Sequence, residues 1–534
     1  MQKTPNILLI FTDQQRWDTI GAYGNTIIKT PNLDRMARQG AVFENAMTPC
    51  PLCLPARSCT ITGYAAGKLG SMVNDEPAEV FNTDSLPALL SKEGYYCKAI
   101  GKMHFSNDPY SRDYGMDSME LSEEMRGVRL ATNGSKIVYD DYDRYLIEKN
   151  MWGWEKPTEI GYNEIKPLIN GLPKENHVTQ WCGDRTVSWL KNERPCDKPF
   201  FLWTSFVKPH VPYDCPSHLV DLYKPEDMPK PWVSKEDGTS KNPAIPLKRR
   251  NMEFDLYSEE ANRRAKAYYY ANITFIDEQI GRIFQTLKDE GLDKDTLVVF
   301  TSDHGDMMGD HGLWYKSYGY EGSVHVPMLA WWPGTIEAGL RCKEITSLLD
   351  IFPTFAHCAG VKDFKERPGE DLLSLLDMNN IEEKDMDFSE IFYPPNYLLH
   401  VKSKKWKYLF HQNGGYEELY DLQADPHELK DLSEQPDYND VKNILKKAAI
   451  EWIKKYSNPD FALDEEGNLR VENLELNKGV DDWSSSPRPF SRMPWDSRIP
   501  AEALDNKQKG WFWKAIDGDW STVLEYAVDR EKKD

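Results

Sequence analysis

The sequence contains no apolar run approaching the length of a membrane span, which excludes an ordinary transmembrane helix. It has no excess of basic residues. Lys+Arg 65 against Asp+Glu 86 leaves a net charge of -21, which excludes nucleic acid and an anionic membrane surface as the main partner. A small anionic ligand is not excluded, because it responds to a local cluster of Lys, Arg and His rather than to the total. The N-terminal "MQKTPNILLIFTDQQ" lacks the charged, apolar and cleavage regions of a secretory leader, so a cytoplasmic location is expected. A periplasmic or secreted location is the alternative if a leader has been removed. There is no disulfide framework: nine cysteines, an odd number, are scattered through a long chain, as suits a reducing compartment. No internal repeat is present. Asn133 and Asn272 fit the N-glycosylation pattern, which arises easily by chance.

What is present is an ordinary globular composition, 40% apolar and 28% charged, over 534 residues, more than one core usually holds. Strand-like runs alternate with helical patterns. "NILLIFT" reads as a buried strand, "PNLDRMARQG" and "TDSLPALLSKEG" as short helices stopped by Gly40 and Gly94, and "YYCKAIG" and "PFFLWTSF" as further strands. Residues 260–290 have helical periodicity, and "TLVVFTSDHGD" reads as strand and loop. This alternation predicts an α/β domain with a parallel or mixed sheet covered on both faces. After about residue 375, short strands with turn signals predict a small antiparallel sheet, followed by an amphipathic helix in "DVKNILKKAAIEWIKKY". The expected organisation is therefore an α/β domain over 1–375, an α+β subdomain over 376–460, and a Trp- and Pro-rich tail over 461–534 that packs on the body.

In open α/β sheets, ligands lie beyond the carboxyl ends of the strands. "NILLIFT" ends in Asp13 and Gln14, and "TLVVFTS" ends in Asp303 and His304. Two carboxylates, an amide oxygen and an imidazole suit one divalent cation, Ca²⁺ or Mg²⁺ by oxygen content, Mn²⁺ or Zn²⁺ by the imidazole. Each Asp taken singly reads better as a turn cap. "GKMHF" places Lys102 and His104 two apart, on one side of an extended backbone, at a third strand end. His210 stands between prolines in "KPHVP", and His311, Lys316 and His325 follow Asp303 closely. Such a set of cationic groups suits an anionic substrate.

The stretch "TPCPLCLPARSCTITG" holds Cys50, Cys53 and Cys59. The spacing of Cys50 and Cys53 is that of redox and zinc sites, but no second pair follows. A helix is predicted to begin near Pro55 and run to Gly63, which puts Cys53 just before its N-terminus. The dipole and free N–H groups there favour negative charge and suit a nucleophile that attacks an oxyanion ester. Cys50 and Cys59 read as small buried residues.

Cys53-Leu-Pro55-Ala-Arg57, running on to Thr62-Gly63, resembles the type I sulfatase signature. "NILLIFTDQQ", "GKMHF", "KPHVPY", "TSDHGDMMGDHGLWYK", "LLDIFPTFAHCAG" and "ELYDLQADPHELKDL" resemble further landmarks of that family, in its order. The resemblance implies an alkaline-phosphatase-like fold and a sulfuric ester hydrolase. It implies that a maturation enzyme oxidises Cys53 to Cα-formylglycine, whose hydrate attacks sulfur with one hydroxyl and expels sulfate with the other. It further implies that Asp13, Gln14, Asp303, His304 and the converted Cys53 hold Ca²⁺, with Mg²⁺ or Mn²⁺ as alternatives. Arg57 is implied to hydrogen-bond the formylglycine and neutralise the metal carboxylates. Lys102 and Lys316 are implied to hold the sulfate oxygens. His104 is implied to take the proton of the remaining hydroxyl, and His210 is the best candidate to protonate the leaving alcohol.

The expected substrate is a small anionic sulfate ester, on family prevalence that of a carbohydrate. There are departures from the common pattern: Gln14 where Asp is common, Ala56 where Ser is common, His304 where many members have Asn, and His325 where Arg is common. Gln and His at the first and third of these places also occur in the branch with phosphonate monoester hydrolases and choline sulfatases. A phosphonate monoester or phosphodiester hydrolase is therefore the alternative enzyme. A non-catalytic binding protein with unmodified Cys53 is the alternative of another class.

Overall fold

A computed structural model describes residues 4–74, 84–106, 110–123, 139–152, 167–234, 258–376, 384–393 and 396–473, with Asn242, Ile245 and Arg249. The first strand, β1 (Asn6–Asp13), is buried on both faces along its whole length. Its apolar run divides by the two-residue period of a strand. Ile7, Leu9 and Phe11 enter one core, and Leu8 and Ile10 enter another. At roughly 1.5–3 kcal/mol for each fully buried aliphatic or aromatic side chain, this strand is a strong anchor for the sheet.

Around it, in chain order, lie β2 (Ala41–Met47), β3 (Tyr96–Gly101), β4 (Ser118–Leu121), the short β5 (Leu168–Ile169), β6 (Phe200–Pro209), the short β7 (Asp214–Cys215), β8 (Thr296–Ser302), β9 (Met328–Trp331) and β10 (Leu340–Ser347). The large sheet has the order β10-β2-β9-β8-β1-β6-β3-β4, and β5 pairs with β7 apart from it. All its neighbours run parallel except β9, which is antiparallel to both β2 and β8, so the sheet is mixed.

Helices α1 (Pro31–Gln39), α2 (Cys53–Thr62), α3 (Leu86–Lys92), α4 (Val178–Ser188), α5 (Glu259–Asp289) and α6 (Ile351–Cys358) accompany the large sheet. Ile351, Phe352 and Phe355 of α6 pack on the Ile7 side, and Ile276, Ile280 and Ile283 of α5 on the Leu8 side. Among the described residues, no helix is long and apolar enough to cross a membrane.

A second sheet holds β11 (Met386–Tyr393), β12 (Asn396–Ser403), β13 (Trp406–His411) and β14 (Tyr416–Asp421), antiparallel throughout and in that order. Helix α7 (Asn439–Tyr456) packs on it through Leu445, Ala449, Trp452 and Ile453. A third core joins this sheet to α5 and to Cys50 and Cys59. The start of the Trp- and Pro-rich tail lies on the small sheet, where Glu472 pairs with Asn413. The rest of that tail, from 474 on, lies outside the described residues, as does Asn133. Asn272 is fully buried in α5, its amide donating to the Asp214 and Tyr268 carbonyls, so it is no glycosylation site. All nine cysteines are free.

Register brings the site together. Thr12 lies opposite Ser302, Phe11 opposite Ser205, and Gly101 opposite Ser205 on its other side. Four adjacent parallel strands thus end at one level, and Asp13, Asp303 and Lys102 leave them side by side. Gly101 has φ +97°, a conformation open to glycine, and a Cβ there would overlap the Ser205 carbonyl oxygen. That carbonyl accepts from the Lys102 N–H at 2.9 Å. Gly101→Ala is expected to destabilise the protein by at least about 2 kcal/mol through strain and overlap. The check is the thermal midpoint by calorimetry; an unchanged midpoint would contradict this account of the strand end.

Candidate active site

Cys53 is the first residue of α2, not the residue before it as the sequence suggested. The helix starts two residues earlier than Pro55 because Leu52 is extended (φ -154°, ψ 139°) and serves as N-cap without a side-chain bond. Pro55, in the first turn, has no N–H to leave unsatisfied. The Leu54 N–H is met by Asn74 Oδ1 at 3.2 Å. All ten residues of α2 are buried, and Gly63 closes it in the left-handed region at φ +71°.

The Cys53 Sγ atom lies 3.2 Å from His304 Nε2 and 3.8 Å from Asp13 Oδ1. The ligand atoms of Asp13, Cys53, Asp303 and His304 all fall within 4.8 Å of one another. Asp303 Oδ1 accepts from the Gln14 and His304 backbone N–H groups, each at 2.9 Å. His304 Nδ1 lies 2.9 Å from the Gly305 carbonyl oxygen. A carbonyl only accepts, so Nδ1 carries a proton and Nε2 is the ring nitrogen turned to the cluster.

Arg57 bolts the two carboxylates together. Its Nη2 is 3.1 Å from Asp13 Oδ2 and its Nε 2.9 Å from Asp303 Oδ2, with all three side chains fully buried. Its Nη1 donates to Ser205 Oγ at 2.8 Å and to the Lys102 carbonyl at 2.5 Å. Lys102 Nζ reaches Asp13 Oδ2 at 2.7 Å. His210 Nε2 is 4.0 Å from Asp13 Oδ1, while its Nδ1 is committed to the Val211 carbonyl at 2.7 Å. Lys316 Nζ donates to Gln14 Oε1 at 2.6 Å.

Lys102 and His104 both reach the site, but not along an extended strand. Strand β3 ends at Gly101, and His104 is left-handed at φ +48°. Glu123 Oε1 accepts from the Met103 and His104 N–H groups at 2.8 Å each and pins this turn. His311 and His325 do not join the site. His311 stacks on Tyr320 at 4.2 Å, and His325 stacks on Trp17 at 4.5 Å and bonds Glu321 at 2.8 Å. Glu123, Ser205, Asp306 and Tyr213 escaped sequence reasoning. Only Asp306, three residues after Asp303 in the same loop, carried a positional signal.

The charges pull the two carboxyls in opposite directions. Burial and the neighbouring Cys53 push the Asp13 carboxyl up, but Lys102, His210 and Arg57 outweigh them and hold it below the usual range. Burial and the nearby Asp13 raise Asp303. Burial opposes a thiolate at Cys53, yet Lys316, Lys102 and His304, with a hydrogen bond from His104, hold its thiol well below the ordinary cysteine range. Burial pushes the Cys50 and Cys59 thiols well above it.

Residues 5–361 match a family model described as Sulfatase, and residues 309–455 one described as N-sulphoglucosamine sulphohydrolase, C-terminal. An arylsulfatase of Clostridium perfringens (strain 13 / Type A) is 34% identical over 84% of this chain and 94% of its own length. A choline-sulfatase of Rhizobium meliloti (strain 1021) is 33% identical over 81% of this chain and 83% of its own. The phosphonate monoester hydrolase of Agrobacterium radiobacter superposes with a TM-score of 0.71 at 25% identity, covering 88% of this chain and all of that one.

A depressed thiol pKa keeps the thiolate present as pH falls. In protein retaining the Cys53 thiol, alkylation by a small reagent such as iodoacetamide is expected to fall off at lower pH than in a cysteine peptide. A cysteine peptide loses about tenfold in rate per unit below its pKa near 8.5. Peptide mass spectrometry after timed labelling checks this, and a peptide-like slope at Cys53 would contradict the charge arrangement.

Proposed function

We propose, from the premise that the chain belongs to the sulfatase family and is a sulfuric ester hydrolase, that it cleaves the sulfate ester of a carbohydrate using a Cα-formylglycine made from Cys53 and a divalent cation. The observation that carries this reading is the convergence of Cys53, Asp13, Asp303 and His304 at the N-terminus of α2. The donor set fits a cation: two carboxylates face the cluster, and His304 turns Nε2 inward. The Cys53 Sγ stands where a formylglycine hydroxyl oxygen would be. With oxygen in place of sulfur the set becomes oxygen-rich, which favours Ca²⁺ and also admits Mg²⁺ or Mn²⁺. Asp13, Gln14, Asp303 and His304 would hold the ion, whose contribution is Lewis acidity beside the reacting sulfate. The converted residue supplies a hydrated aldehyde, with one hydroxyl to attack sulfur and one to release sulfate.

The remaining side chains divide the work. Arg57 neutralises both carboxylates and fixes their spacing. Lys102 and Lys316 hold the sulfate oxygens and stabilise the charge that builds on them. Lys316 is bonded to a neutral amide oxygen, whereas Lys102 is paired with Asp13, so Lys316 brings the less compensated charge. His104 takes a proton at the Cys53 position. His210, with Nδ1 committed to a carbonyl, offers Nε2 to protonate the leaving alcohol. The match of residues 309–455 to a model named for an N-sulphoglucosamine sulphohydrolase supports a sugar substrate. A formylglycine-generating maturation enzyme is the partner this reading requires.

The neutral Gln14 and the likeness to a phosphonate monoester hydrolase favour one second reading, cleavage of phosphonate or phosphate diesters. Turnover of aryl sulfate and aryl phosphonate esters by the purified protein separates the two. Higher kcat/KM on the sulfate, lost on chelation, is expected, and a large preference for the phosphonate would overturn the sulfate reading. Mass spectrometry of the tryptic peptide 39–57 is expected to show an aldehyde at Cys53. Full activity with the thiol intact would overturn the mechanism. His210→Ala is expected to lower kcat about 10²–10⁴-fold on alkyl or sugar sulfates. On nitrophenyl sulfate, whose leaving group needs little protonation, the loss should be far smaller. Equal losses on both would remove His210 from the role of acid.

A further inference from the structure

Gln14 differs from a carboxylate in having two unlike ends. Turned one way it offers an oxygen to a cation, and turned the other way it offers N–H groups, which a cation repels. Its backbone is fixed on both sides. The N–H donates to Asp303 Oδ1 at 2.9 Å, and the carbonyl accepts from Tyr269 OH at 2.5 Å. Its φ of +69° is unusual for a residue with a side chain. What remains open is rotation of the terminal amide. Gln14 Nε2 donates to Asp306 Oδ2 at 2.5 Å, while Oε1 accepts from Lys316 Nζ at 2.6 Å. An ammonium can only donate, so the assignment of the amide is forced.

Asp306 is itself held. It is fully buried, and besides Gln14 it accepts from Tyr213 OH at 2.5 Å, the Met308 N–H at 2.9 Å and the Tyr315 N–H at 3.0 Å. Tyr213 is fully buried as well. Lys316 Nζ lies on the other side of the amide, at its oxygen end.

We propose that Asp306 is a positioning residue that locks the Gln14 amide with its oxygen toward the cation, making a neutral side chain serve where a carboxylate would need no orienting. This rests on the reading that Gln14 faces a divalent cation. Oε1 has two lone pairs, one for Lys316 and one for the ion. An amide in place of the Asp306 carboxylate presents an N–H as readily as an oxygen, and the Gln14 amide is then free to turn over.

The test is Ca²⁺ affinity of the full chain by isothermal titration calorimetry, with circular dichroism to confirm folding. Asp306→Asn is expected to weaken binding about 10–100-fold, the usual range for a partner behind a metal ligand. Gln14→Glu is expected to weaken it too, by setting a carboxylate against Asp306. The double variant Gln14→Glu with Asp306→Asn should bind better than either single variant, because the introduced amide then donates to one oxygen of the introduced carboxylate and leaves the other for the ion. A role of Asp306 confined to holding its loop predicts the same loss whichever residue stands at 14. A double variant no better than Asp306→Asn, or no loss in Asp306→Asn, overturns the proposal. Should Asp306→Asn fail to fold, Gln14→Glu against the double variant still decides. Gln14→Leu with unchanged affinity would remove Gln14 from the cation altogether, and the proposal with it.

Discussion

Two carboxylates brought together in a buried place repel each other, and the site depends on the guanidinium that lets them stay. Arg57 is fully buried and touches Asp13 and Asp303 at 3.1 and 2.9 Å. Burying these three charges costs desolvation, and only close geometry with further hydrogen bonds offsets it. The planar guanidinium supplies that geometry, with its two Nη1 N–H groups on Ser205 and the Lys102 carbonyl. Loss of one partner from such a buried set costs roughly 3–5 kcal/mol. The same contacts tie α2 to the ends of β1, β8, β6 and β3, so the arrangement that makes the chemistry possible also closes the carboxyl edge of the sheet.

The site shows how little net charge says about a local field. The chain carries -21 overall, yet Arg57, Lys102, Lys316, His104 and His210 gather around one sulfur atom. Their effect is visible in the three cysteines of one short stretch. Cys50 and Cys59 share the burial of Cys53 and have their thiols pushed up, while Cys53 alone is held down. Position relative to the helix end and to two lysines, more than burial, separates them.

Much of this was legible in the residues. Strand ends in Asp13-Gln14 and Asp303-His304 pointed to one ligand edge because parallel strands place their carboxyl ends together, and the register of Thr12 with Ser302 does so. The spacing from Cys53 to Arg57 was readable only through its likeness to the sulfatase signature, since the helix was expected near Pro55 and begins at Cys53. The mixed sheet and the small antiparallel sheet followed from alternation and turn signals. Other features were not legible, because they depend on contacts between distant segments. Glu123 holds the Met103–His104 turn from beyond β4, and Ser205 steadies Arg57 from β6. Nothing local marks either one. His311 and His325 misled for the converse reason: nearness to Asp303 in the chain did not bring them to it, and each stacks on an aromatic ring elsewhere.

The burial of α2 bears on the order of events in the life of the chain. Cys53 is 2% exposed and Arg57, four residues on, not at all. A second protein that reads this segment side chain by side chain needs it extended and in the open. Once α2 has docked, all ten of its residues are buried. The enzymatic conversion of Cys53 proposed above would therefore precede docking, in competition with folding itself. On the proposed reading, the fraction of converted chains then follows from two competing rates, and conditions that slow folding favour conversion.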